Sequence, residues 1–209
     1  MDSRRHRKRL ATRQSISDAA TRLFLERGFD AVTIDEIAAA ADVGRMTVFN
    51  HFPRKEDMFF DREEEIQAFA FEAVRGRRPG VSPIEATRIL AHDLVRQDHE
   101  FMLLSDGTRR FIRTAMESDA LKARAREMRD DFTRALAIVL AETSNQPTDD
   151  PNAHLAAGLI VSVWNVAFTE AQKIFDRTQD SSEAKRFFIA VIDRGLAGAA
   201  VALAETAYA

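Results

Sequence analysis

The sequence predicts an all-α fold, with a small N-terminal helical domain over residues 1–55 and a larger helical body over residues 56–209. Three observations carry that expectation. Only eight Gly and five Pro interrupt 209 residues rich in Ala, Leu, Glu and Arg, side chains that favour helix over sheet. Apolar residues recur at intervals of three and four rather than two. The charge is also divided. The net charge is −3, yet residues 1–13 hold six basic side chains against Asp2, while residues 61–209 hold 19 basic and 24 acidic ones. With no cysteine, disulfides, thiolate metal sites and thiol nucleophiles are excluded together. No run approaches about 18 uninterrupted apolar residues and no signal-peptide pattern follows Met1, so a soluble, cytoplasmic protein without membrane contact is expected.

A basic arm (Arg4, Arg5, Arg7, Lys8, Arg9, Arg13) leads into a first helix over Thr12 to Arg27. Its apolar positions are Ile16, Ala20, Leu23 and Phe24, and Gly28 supplies the left-handed position that ends it. Thr33-Ile34-Asp35-Glu36 has the form of a capping box, in which hydroxyl and carboxylate satisfy each other's backbone amides. A second helix should begin there and turn Ile34, Ile37, Ala38 and Ala41 inward. Asp42-Val43-Gly44 then gives the three- to four-residue turn of a helix-turn-helix. A third helix over Arg45 to Phe52 packs Val48 and Phe52 inward and leaves Arg45, Met46, Thr47, Asn50 and His51 outside. That outward set suits DNA. Asn can pair with an adenine edge, Thr can bond a phosphate or touch a thymine methyl, and Arg can read guanine or grip the backbone.

Beyond Pro53 the pattern is helix after helix. One connecting helix is expected over Lys55 to about Arg75, then a loop over Gly76 to Ser82, then a helix opened by Ser82-Pro83 and broken at Ser105-Asp106-Gly107. A short helix over Thr108 to Met116 and a long amphipathic one over Asp119 to Glu142 precede a polar loop at Thr143 to Pro151. The last two helices, about Asn152 to Arg177 and Ser182 to Ala207, are apolar on several sides, more than one subunit easily covers.

Catalytic and metal chemistry are absent from the pattern. His92 and His99 are seven apart, about 10 Å along a helix, too far to share one metal. Glu63, Glu64 and Glu65 point in different directions, as a solvated face does. No phosphate loop, nucleophile elbow or zinc-protease motif occurs, so neither an enzyme nor a cofactor is expected.

The run from Thr33 to Ala38 and from Val43 to Glu56, with its Phe-Pro-x-Lys-Glu ending and the Gly28-Phe29 pair, resembles the N-terminal domain of TetR-type bacterial transcription regulators over about Ala11 to Phe60. The resemblance implies a homodimeric, ligand-responsive regulator, a repressor released from a palindromic double-stranded DNA operator by a small, mostly apolar effector. It implies DNA contacts at Thr33, Gly44, Arg45, Met46, Thr47, Phe49, Asn50, His51 and Lys55. It also implies a dimer interface from the last two helices, placing two reading helices about 34 Å apart. Where the family has a small polar residue before the reading helix this chain has Gly44, and where it often has Tyr it has Phe49. For the effector, aromatic and polar groups mix at Phe101, Met102, Phe111, Met116, Trp164, Asn165, Phe168 and Thr169. The alternative reading is a helical protein-interaction module without sequence-specific DNA binding.

Overall fold

The computed structural model describes residues 2–99, 102 and 104–209, and among them every regular element is helical apart from a single 3-10 residue at Met102. The α-helices are α1 (Asp2–Arg27), α2 (Ile34–Ala40), α3 (Arg45–His51), α4 (Lys55–Phe59), α5 (Glu63–Arg75), α6 (Pro83–Arg96), α7 (Asp106–Glu117), α8 (Asp119–Thr143), α9 (Pro151–Thr178) and α10 (Ser181–Ala202). The chain forms two compact units. One comprises Met1–Glu63 with Arg110–Ala125, the other Glu64–Arg109 with Arg126–Ala209.

In the first unit Ile16, Ala20, Phe24, Phe29, Val32, Ile37, Val48, Phe52, Met58, Phe59 and Leu121 form one buried cluster. Phe24 lies 4.9 Å from Phe29 and 6.1 Å from Phe59, ring centre to ring centre, and Phe111 stacks on Phe59 at 4.1 Å. These offset and tilted contacts are the arrangements aromatic quadrupoles favour. Residues 110–125 are held within the unit by polar contacts as well: the Ser118 hydroxyl donates to Asp30, and Arg124 bridges Asp57 and Glu63 at 3.1 Å each.

Three expectations about helix bounds are corrected. The basic segment is not a loose arm but the first turns of α1, which runs unbroken from Asp2; Arg, Lys, Leu and Ala are all good helix formers, and nothing in residues 4–13 breaks the pattern. The single connecting helix after Lys55 is two helices, separated at Phe60–Arg62. Phe59 and Phe60 both pack on this unit's core, and the Ser17 hydroxyl donates to Asp61 in the break. The helix opened by Ser82-Pro83 ends at Arg96 rather than near Ser105, with Asp98 in the left-handed region and paired with Lys185. Asp accepts that conformation better than most residues.

The second unit is built on the antiparallel pair α9 and α10, with α6 against it. Ala153, Ala156, Ala157, Ala167 and Ala171 are buried along α9, and such small side chains let helices approach closely. At the crossing, a Cβ added to Gly195 would lie 2.7 Å from both methyls of Val163. Gly195→Ala is therefore expected to lower stability by about 1–3 kcal/mol through overpacking, despite alanine's better helix propensity. Chemical denaturation checks this, and an unchanged or raised midpoint would contradict it. The unit closes on Tyr208, fully buried, whose hydroxyl donates to Asp150 at 2.6 Å and whose carbonyl accepts from the Ile84 amide. By length and composition α9 is apolar enough to cross a membrane, with a mean hydropathy of 1.2 over its richest 18-residue window, a third of which is buried. That composition comes from two apolar faces, one in this core and one turned outward.

Candidate nucleic-acid interface

The interface is assembled from α1, α2 and α3. At the start of α2 the anticipated capping box is present: the Glu36 amide donates to the Thr33 hydroxyl oxygen at 3.3 Å, and the Thr33 amide donates to the Glu36 carboxylate at 2.8 Å. Arg27 pairs with the same carboxylate at 2.8 Å. The Thr33 amide, the Arg27 guanidinium and the Thr33 hydroxyl together hold the Glu36 pKa down at about 2. Because the folded value is depressed, this contribution is complete above the ordinary carboxylate range and is lost as pH falls through about 2.

The turn ends α2 in a Schellman arrangement, with Asp42 in the left-handed region and the Val43 amide donating back to the Ala38 carbonyl at 3.0 Å. Gly44 is the N-cap of α3 in extended geometry, and no side chain caps it. Asp42, not Gly44, therefore takes the unusual backbone conformation. Val48 and Phe52 are buried beneath α3, and Arg45, Met46, Phe49 and Asn50 are exposed, with Thr47 and His51 half-buried. The surface so formed is continuous and polar, apart from Met46 at 70% exposure and one face of Phe49.

Two contacts fix the ends of α3. Arg13 of α1 donates to the His51 carbonyl at 2.7 Å and lies 4.1 Å above the Phe52 ring, so a cation sits at the helix C-terminus where the backbone dipole favours one. Burial, with Arg9 and Arg13 nearby, lowers the His51 pKa and keeps its ring neutral at pH 7. At the other end, the Arg45 guanidinium is held by the Asp35 carboxylate of α2.

Lys55 is half-buried: its ammonium donates to the Phe29 carbonyl at 2.5 Å and lies 4.2 Å from the centre of the Phe29 ring. Burial pushes its pKa down, opposed by Asp30, Glu56 and Glu36. This lysine ties the start of α4 to the loop after α1.

The residues anticipated for a small-molecule site are not gathered into one cluster. Phe101 lies outside the described residues. Met102 is buried in the second unit, whereas Phe111 belongs to the core of the first, and Met116 is 62% exposed. On α9, Trp164 and Phe168 turn toward the core, and Trp164 meets the Phe188 ring edge-on at 5.7 Å. Asn165 and Thr169, each one residue further on and so about 100° around the helix, are exposed. Sequence reasoning missed Gln172, buried on the core side of α9 with neither its amide nitrogen nor its oxygen hydrogen-bonded; the Trp164 N–H is likewise unpaired. The available signal was a lone amide one turn beyond Phe168 in an otherwise apolar stripe. It also missed Asp35 and Arg13 as partners of the reading helix. Among the described residues no three His, Asp or Glu side chains gather where a metal ion could sit.

Residues 16–61 match the model of the bacterial regulatory proteins of the tetR family. The transcriptional regulator TcmR of Streptomyces glaucescens is 33% identical over 82 residues, which span 39% of this chain and 36% of TcmR. The repressor KstR of Rhodococcus jostii is 29% identical over 159 residues, 73% of this chain and 68% of KstR. The chain thus spans about a third of the length of TcmR and about two-thirds that of KstR. Among solved structures, NalD of Pseudomonas aeruginosa, secondary repressor of a multidrug efflux pump, superposes over 88% of this chain and 96% of its own with a TM-score of 0.59 at 20% identity, a likeness of fold.

Proposed function

From the match of residues 16–61 to the tetR family model we propose that the chain is a homodimeric repressor that reads a palindromic operator and releases it on binding a small, mostly apolar molecule. The observation that carries the reading is the outward surface of α3, with Arg45, Thr47, Asn50 and His51 held over a buried Val48–Phe52 face and flanked by the basic turns of α1. Side chains of these types at one exposed helix face are what a major groove recognises. Met46, Phe49, Thr33 and the Gly44 amide complete the proposed contact set.

A second copy is proposed to cover the outer face of α9 and α10. Leu155, Val166, Phe187 and Val201 are exposed there, and Gly158 and Gly198 have open space where a Cβ would be. An apolar face of two long helices with small residues along it suits a four-helix contact. The effector is proposed to lie against Trp164 and Phe168, with the unpaired Gln172 amide as its polar contact, since a buried amide without a partner costs about 1–3 kcal/mol and a ligand carrying donor and acceptor would recover it.

Binding of the intact protein to the DNA upstream of its own gene, against random duplex of equal length, tests the reading. A preference weakened by Asn50→Ala and by Thr47→Ala supports it. Equal affinity for both duplexes would sink it. A second measurement uses His51. A phosphate beside the neutral ring raises its pKa on binding, so a proton is taken up and operator affinity is expected to rise as pH falls toward 6. The dependence should vanish in His51→Gln; a pH profile identical in both proteins would remove His51 from the contact set. The opposite sign applies to the free protein, whose depressed histidine makes it less stable as pH falls below about 6.5.

A further inference from the structure

We infer that Asp35 is a specificity-determining positioning residue: it holds Arg45 so that one edge of the guanidinium reads a guanine in each half-site. The inference rests on the DNA-binding reading above and goes beyond it by assigning a base and a residue that touches no base.

The geometry is specific. Nη1 of Arg45, the first residue of α3, donates to both carboxylate oxygens of Asp35 at 2.9 and 2.8 Å, across a separation of ten residues and the intervening turn. The guanidinium carbon lies 5.6 Å from the centre of the Phe49 ring, one turn further along α3. The cation is therefore bracketed between a carboxylate and an aromatic face, although Arg45 and Asp35 are both more than half exposed. A surface ion pair of this kind adds little to stability. What it supplies is orientation. A free arginine must give up side-chain rotamers to dock on a base, and one already held on a second element gives up fewer.

The donor inventory selects the base. A guanidinium has five N–H groups in a planar fork. With Nη1 committed to Asp35, the adjacent Nε and Nη2 hydrogens form a parallel pair on the opposite edge. Two parallel donors match the O6 and N7 acceptors of guanine, whereas adenine presents one acceptor and one donor in the major groove. An acid in the first turn suits the N-terminus of α2, and its pairing with Nη1 offsets the repulsion it would exert on a nearby phosphate.

Selection from randomised duplexes, performed in parallel with the intact protein and with Arg45→Ala, Asp35→Ala and Asp35→Asn, tests this. Arg45→Ala identifies the base column that depends on the arginine, and guanine is expected in that column. In Asp35→Ala the guanine preference at that column is expected to fall about tenfold while the other columns stay within about twofold, because a bidentate contact is lost in precision rather than replaced. Asp35→Asn, which retains one acceptor oxygen and the side-chain volume, should fall between and guards against a folding defect in the alanine variant. If the intact protein enriches no motif, the DNA reading itself fails. If it enriches a motif and Asp35→Ala strengthens all columns alike, or leaves the Arg45 column untouched, the acid is only a nearby charge and this inference alone is overturned.

Discussion

Phe24→Ala is expected to destabilise the N-terminal unit by about 3–5 kcal/mol, the usual loss when a fully buried aromatic ring is emptied from a packed core. The ring is wholly inaccessible, it touches Phe29 and Phe59, and the Lys55 ammonium that ties α4 to the preceding loop lies 5.6 Å from its centre. Removing it leaves a void among α1, the loop after it and α4, and unseats the lysine at the same time. Since small domains are stable by only about 5–15 kcal/mol, the loss is a large share of what this unit has. The effect should concentrate there: amide exchange in α1 to α4 should accelerate strongly, and DNA binding should fall with it. Phe24→Leu, which keeps most of the volume, should cost less than about 1.5 kcal/mol. Equal exchange rates in the alanine variant and the parent would show that the aromatic cluster is not what holds the reading helix in place.

The second large effect concerns the basic turns of α1. Replacing Arg4, Arg5, Arg7, Lys8 and Arg9 together with Gln preserves helix-forming side chains and removes five cations. Affinity for operator and non-operator duplexes alike is expected to fall, on the order of a hundredfold at moderate salt, with a salt dependence up to about four units shallower per subunit in a plot of log K against log salt. Base preference should not change, because cations that meet phosphates position a protein without reading sequence. A variant that keeps the parent's salt slope would show that these side chains never meet the backbone.

The legible parts of this protein were those in which neighbours in sequence are neighbours in space. The capping box at Thr33 and Glu36 involves residues three apart, so its four-residue signature suffices. The buried and exposed faces of α3 follow from helical periodicity in the same way. The Lys55 contact with Phe29 was not legible because its partner is a backbone carbonyl 26 residues earlier, and a carbonyl has no sequence signature. The break at Phe60–Arg62 escaped for a related reason: helix propensity continues through it, and the contact found there is tertiary, the hydrogen bond from Ser17 to Asp61. At Arg45 the sequence showed a residue type suited to guanine, but not that Asp35 would hold it, since Asp35 also reads as an ordinary acid in the first turn of a helix. The α9 side chains show the limit of listing polar and aromatic residues together. Trp164 and Asn165 are adjacent in the chain and face opposite environments.

One consequence lies in the first turns of α1. Arg4 and Lys8, Arg5 and Arg9, and Arg9 and Arg13 are like charges one helical turn apart, and Arg4 and Arg5 lie in the first turn, where the helix dipole is already positive. Each such pair costs about 0.2–0.5 kcal/mol, so the segment is electrostatically frustrated as an isolated helix. A polyanion relieves the repulsion and the dipole conflict together. These turns therefore act as a charge-loaded spring: their helicity should rise with added salt and rise further on duplex DNA, making the firmness of the protein's first turns itself a gauge of whether its cations have found a counter-charge.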